Sequence, residues 1–151
     1  MPLNEILTVY PAFFVALALV VGLVVGSFLN VVIWRLPKML DREWRLQAHD
    51  VLGVPPESPG PTYNLMLPHS HCPQCDHRIR AWENIPVFSY LFLRGRCSNC
   101  AAPISKRYPL TELACGLLSA FIAWHFGFGW QACTVLVLTW GLLAMSLIDA
   151  E

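Results

Sequence analysis

Cys72, Cys75, Cys97 and Cys100 form the pattern C-x2-C-x21-C-x2-C. Two Cys-x-x-Cys knuckles at this separation supply four thiolates on two tight turns, the donor set of a tetrahedral zinc ion. Four thiolates close the coordination sphere and leave no position for water or substrate, so the expected role of the metal is to fold the segment and not to catalyse. An iron centre of rubredoxin type takes the same ligands and stays open as an alternative. Disulfides are a second alternative, and a redox-active pair a third, although the latter belongs at a helix start in a βαβ setting that this sequence does not suggest. His69, His71 and His77 crowd the first knuckle, where they either replace a thiolate or stand outside the ligand set; with four cysteines present, the outer position is the expectation. Cys115 and Cys133 occur singly in apolar runs and read as small hydrophobes.

A second candidate for chemistry is Asp149, a carboxylate that ends the apolar run "WQACTVLVLTWGLLAMSLI". It is either a boundary residue meeting water or a functional acid at the membrane edge.

The elements that must position these groups are greasy. Of the 151 residues, 56% are hydrophobic and 13% charged, which falls outside the norm for soluble domains. Three segments are long and apolar enough to cross a bilayer: Ala12 to Trp34, Leu113 to Phe128, and Trp130 to Ile148. No basic residue precedes the first, and no small-x-small site ends it, so it reads as a retained helix and not a secretory signal. The fold class predicted is an all-α polytopic membrane protein, with three transmembrane helices and a zinc-binding loop between the first and second. The net charge is zero, which removes any global basic field, and no nucleic-acid partner is expected.

All ten Lys and Arg residues lie between Arg35 and Arg107, with none in the N-terminal decapeptide or the "FGFG" turn. The positive-inside rule therefore places that loop in the cytosol, the N-terminus outside, and Asp149 back at the cytosolic face. Cytosolic placement also argues against persistent disulfides. The organisation expected is residues 1–34 as N-terminus and first span, 35–109 as cytosolic loop with its metal module at 72–100, and 110–151 as a helical hairpin. Within the loop, "KMLDREWRLQAHDV" reads as a short helix, either on the membrane surface or as an ordinary loop helix. The proline-rich "VPPESPGPTYNLMLP" reads as a linker. Pro109 suits a helix entry with Glu112 in the first turn, while Gly127 and Gly129 suit a tight reversal. Gly22 and Gly26 permit close helix contact, and Ser27 and Asn30, at membrane depth, are expected to face other helices or a polar cavity. Gly95, beside Arg94 and Arg96, reads as a turn or as an anion contact. No internal repeat is evident.

Taken together, "GSFLNVVIWRLP", "CPQC", "ENIPVFSYLFLRGRC", "CSNC", "PISKRYPLTELACG" and "SLIDAE" resemble the type IV prepilin peptidases, also called prepilin leader peptidase/N-methyltransferases. The resemblance covers essentially the whole chain. It implies a multi-pass bacterial inner-membrane aspartic peptidase that removes the basic leader from type IV prepilins and type II secretion pseudopilins on the cytosolic side. The enzyme then methylates the new N-terminal amine from S-adenosylmethionine. By position, the resemblance makes Asp149 the first of two catalytic aspartates and the four cysteines zinc ligands.

The family's second aspartate lies in a Gly-x-Gly-Asp motif that these 151 residues do not contain. The expectation is therefore an N-terminal portion of the enzyme, inactive as a peptidase by itself. A carboxyl pair cuts an amide because one member activates water while the other donates a proton, which Asp149 alone cannot do. No Gly-rich dinucleotide fingerprint is present, and the residues that bind the methyl donor stay unassigned. The competing readings are a non-enzymatic membrane adaptor with a structural zinc module and a membrane thiol oxidoreductase.

Overall fold

The computed structural model describes residues 7, 9–53 and 62–150. Its elements are α1 (Pro11–Leu52), a 3-10 turn (Ala81–Asn84), α2 (Phe88–Phe92), α3 (Arg107–Phe126) and α4 (Trp130–Asp149). Three of these, α1, α3 and α4, are long and apolar enough to cross a membrane.

α1 differs from the expectation of a span ending near Trp34. It runs unbroken for 42 residues with Pro37 inside it. At 1.5 Å per residue it is about 63 Å long, so roughly half extends beyond a hydrocarbon core of about 30 Å. Proline removes one helical donor but holds a φ compatible with the helix. The turns around it are held by pairs four residues apart: Lys38 Nζ sits 3.6 Å above the Trp34 ring, and Arg45 pairs with Asp41 at 3.0 Å. The separate short helix expected here, whether on the membrane surface or in the loop, is instead the distal half of α1, continuous with the span. Gly53, at φ 65°, ends it in the left-handed cap that glycine accepts without strain.

α1 and α3 lie against each other at small residues. A Cβ added at Gly26 meets Glu112 Cα at 2.7 Å and Cys115 Cβ at 2.9 Å, and one added at Gly22 meets Ser119 Cβ at 2.7 Å. Such close approach is how helices associate in lipid, where tails are as apolar as leucine and dispersion contacts decide. Two apolar clusters then fix direction. At one end Leu7, Phe14 and Ala18 pack with Ala123 and Ala132; at the other, Leu29 and Ile33 pack with Cys115, flanked by Leu143, Leu147 and Ile148. α3 is therefore antiparallel to α1 and α4 parallel to it. Trp140 donates its indole N–H to Ser119 at 2.9 Å, satisfying the polar handle of a half-buried aromatic.

α3 begins at Arg107, earlier than Pro109, where the Ser105 hydroxyl accepts the Arg107 amide at 3.3 Å. Pro109 still falls among the first helical residues, whose N–H groups have no partner within the helix. This start leaves no acid in the first turn, which corrects the expectation for Glu112. Glu112 is buried instead, and it accepts the Val87 amide at 2.7 Å and the Ser27 hydroxyl. Asn30 reaches the Tyr108 carbonyl at 3.2 Å. Both polar residues of α1 thus find partners on α3, as polar groups at membrane depth must.

The first eight residues of the proline-rich stretch, 54–61, lie outside the described residues. Its remainder is built, not slack. Asn64 Oδ1 accepts the amides of Met66 and Leu67 at 2.8 and 2.7 Å, closing an Asx turn. Arg35, buried at 8% exposure, donates to the carbonyls of Asn64 (2.9 Å) and Pro68 (2.5 Å). One α1 side chain thereby fastens the loop to the helix just beyond the apolar run.

Candidate metal centre and the Asp149 end of the bundle

The two knuckles are copies of one hairpin 25 positions apart. Cys72 donates its amide to His77 and accepts from Asp76, at 2.9 and 3.0 Å; Cys97 does the same with Ala102 and Ala101, at 2.8 and 3.0 Å. The arms close alike, through bridges His71–Arg78 and Arg96–Pro103 and through the amides of Ile79 and Ile104 on the carbonyls of Ser70 and Gly95. Asp76 and Ala101, each following a second cysteine, share a left-handed φ of 58° and 57°. An internal repeat does exist, against the expectation from sequence. Apart from the cysteines and the isoleucines the side chains differ, and the likeness resides in backbone hydrogen bonds.

This repetition sets the four sulfurs face to face. The Sγ atoms of Cys72, Cys75, Cys97 and Cys100 all lie within 4.8 Å of one another, with Cys72–Cys100 at 3.8 Å and Cys75–Cys97 at 4.0 Å. Four sulfurs at the usual ~2.3 Å from zinc in a tetrahedron are about 3.8 Å apart. The donor set therefore fits a metal, and a tetrahedral one. A disulfide requires sulfurs near 2.05 Å, and all six cysteines here are free thiols.

The thiols are not equivalent. The Asn99 amide N–H at 3.5 Å, and then the His77 backbone amide, hold Cys75 down to about 7, while the amides of Cys100 and Asn99 lower Cys97. For Cys100 the Ala102 amide pulls downward, but the sulfurs of Cys75, Cys72 and Cys97, together with desolvation, push it up to about 12. Backbone and amide donors thus favour the first ionisations, and the accumulated charge opposes the last. A cation at the centre relieves that opposition.

Glu83 joins the knuckles and was not singled out from sequence. Its side chain is 5% exposed; it accepts the Arg80 amide at 2.7 Å and the Ser98 hydroxyl at 2.5 Å, and it faces His77 at 3.4 Å. These donors hold its carboxyl below the ordinary range, the Arg80 amide most and then the Ser98 hydroxyl. His77 stands outside the sulfur cluster against Glu83 and Ser98, and His71 pairs with Asp76 at 3.7 Å. Gly95, at φ 68°, is a turn glycine: it donates to Tyr90 at 2.9 Å and accepts from Ile104 at 2.7 Å.

Asp149 is the last residue of α4 and is exposed. Arg107 at the start of α3 donates to the Leu147 carbonyl at 3.0 Å, so Asp149 emerges at the end of the bundle from which the cysteine loop departs. The helix dipole does not favour an acid at a carboxyl terminus, so its presence there is not explained by helix stability.

Residues 20–126 match the bacterial peptidase A24 N-terminal domain. The chain belongs to the prepilin leader peptidase/N-methyltransferase family. It is 65% identical over 147 residues to the prepilin leader peptidase/N-methyltransferase of Stutzerimonas stutzeri, covering 97% of this chain and 51% of that protein. To the protein of that name in Pseudomonas aeruginosa it is 60% identical over 151 residues, covering 100% and 52%. To that of Neisseria gonorrhoeae it is 49% identical over 146 residues, covering 96% and 51%. The chain thus spans about half the length of these curated relatives. No solved structure matches it. The matched domain takes in Gly22, Gly26, the four cysteines and α3, while Asp149 lies beyond it.

Proposed function

We propose that this chain is the N-terminal half of a membrane aspartic peptidase that removes the leader from type IV prepilins and type II secretion pseudopilins and then N-methylates the new terminus. The observation that carries the reading is the exposed Asp149 at the loop end of the bundle, in a chain whose relatives are named for this activity. Its role is that of one carboxyl of a catalytic pair, the other coming from outside these 151 residues; by themselves these residues do not cut. At the cytosolic edge Asp149 meets a substrate whose basic leader stays in water while its apolar segment enters the bilayer.

Cys72, Cys75, Cys97 and Cys100 hold zinc. The metal is structural, because four thiolates leave it no open position, and when bound it supplies cross-linking of the two hairpins. Glu83 then orients Ser98 and His77 around them. S-adenosylmethionine serves as methyl donor on the cytosolic side. Its binding residues are not assigned: the cavity beside Arg35 measures about 220 Å³, below the roughly 300 Å³ at which small-molecule pockets begin.

The test is leader removal by the full-length protein in membranes, with a prepilin as substrate. Asp149→Asn abolishes cleavage while membrane insertion and zinc content stay as in the unaltered protein. Normal cleavage by Asp149→Asn would rule out the catalytic role.

A further inference from the structure

Between α1 and the first knuckle lies a cavity of about 220 Å³ whose lining includes Arg35, Arg78, Arg80, His69, Ser70 and Asn84. Among the described residues no carboxylate lines it, and none pairs with these three arginines. Arg35, Arg78 and Arg80 all line this one concavity without a counter-charge, so their positive charges add there and the concave wall focuses the field. Arg35 is committed to the Asn64 and Pro68 carbonyls and so fixes one wall, while Arg78 and Arg80 are exposed at the other.

The level of the cavity is set by the helix. Arg35 directly follows Trp34, the last residue of the apolar run, and the Lys38 ammonium over the Trp34 ring makes the aromatic and cationic pair typical of a headgroup boundary. The volume suits a headgroup-sized anion and not a nucleoside. Arginine forks match phosphate oxygens two at a time.

We propose that this cavity binds a phosphate-bearing anion, tying the first knuckle to α1 at the membrane surface. The same chemistry is presented by the headgroup of an acidic phospholipid and by free phosphate. The site is separate from the sulfur cluster and from Asp149.

The test uses full-length, zinc-loaded protein in nanodiscs of phosphatidylcholine alone or with phosphatidylglycerol, and in detergent with inorganic phosphate. Native mass spectrometry reads retained lipid, and hydrogen exchange reads protection of the Ser70–Ile79 arm. Lipid retention and protection only with phosphatidylglycerol identify a headgroup; protection by inorganic phosphate in plain detergent identifies free phosphate. Either result is lowered about tenfold or more in apparent affinity by Arg78→Gln/Arg80→Gln, with zinc content unchanged. The charge-matched control Arg96→Gln/Lys106→Gln, away from the cavity, leaves it intact. The proposal is overturned if neither anion protects the arm, or if both double variants lose affinity equally, which is the behaviour of a diffuse basic field. Cleavage activity lost by Asp149→Asn does not bear on it.

Discussion

The hydroxyl of Ser98, placed between the two cysteines of the second knuckle, donates to Glu83 Oε1 at 2.5 Å. The other oxygen of that carboxylate holds the Arg80 amide and faces His77 of the first knuckle. One carboxylate therefore spans both hairpins without touching the sulfurs.

Glu83→Gln keeps the shape and removes the charge. Hydrogen bonds to a charged acceptor contribute about 1.5–3 kcal/mol, so the variant loosens the module by about that much at pH 7. The folded carboxyl titrates below its unfolded counterpart, led by the Arg80 amide. Its contribution is therefore complete above the unfolded value, near pH 4.3, and is lost as pH falls through the folded value. The stability gap between native and variant protein, read by hydrogen exchange at the knuckle amides, is constant from pH 7 to about 5 and narrows below. A gap that widens on acidification refutes the assignment.

Gly26 and Gly116 lie in the same helix pair but face different atoms. A Cβ at Gly26 meets Glu112 backbone, whereas one at Gly116 meets the Leu23 Cδ2 methyl at 2.8 Å, the end of a flexible side chain. Gly26→Ala therefore costs about 1–3 kcal/mol through forced separation of α1 and α3, and Gly116→Ala costs less. Thermal unfolding midpoints in detergent rank the two; the reverse order would contradict the packing.

Arg35→Met removes the donor from the Asn64 and Pro68 carbonyls, at about 1 kcal/mol for each of these partly buried hydrogen bonds. Arg35→Lys keeps the charge and reaches one carbonyl in place of two. Limited proteolysis should cut the Tyr63–Pro68 stretch fastest in Arg35→Met, more slowly in Arg35→Lys and slowest in the unaltered protein. Equal rates for all three would show that the turn stands without the latch.

The spans and knuckles were legible because hydropathy and Cys-x-x-Cys spacing are written in side chains. The latch was not, because Arg35 binds main-chain carbonyls, which every residue carries. Glu83 escaped notice because its capping partner is Arg80, where a capping box normally shows Ser or Thr. The continuation of α1 was hidden by Pro37, a residue that more often ends a helix; the pairs Trp34–Lys38 and Asp41–Arg45 outweigh its lost donor. The doubled hairpin was masked because its likeness resides in backbone bonds.

Removing the metal separates the module from the helices. Structural zinc contributes roughly 10 kcal/mol or more to small domains folded around it, and the 72–100 segment has few buried apolar side chains of its own, Cys72, at 8% exposure, being the one buried. The bundle depends on other contacts: Gly22 and Gly26 against α3, and Leu29 and Ile33 against Cys115 and α4. Chelation, or Cys72→Ser, should therefore abolish exchange protection at the Ile79 and Ile104 amides, which close the two arms, while the amides of α1 and α3 facing each other stay protected. Stoichiometric zinc return should restore the arms in the unaltered protein and not in Cys72→Ser. Arms that remain protected without metal mean that Glu83 and the backbone bonds suffice to fold the loop; helices that melt with it mean that the module also braces the bundle.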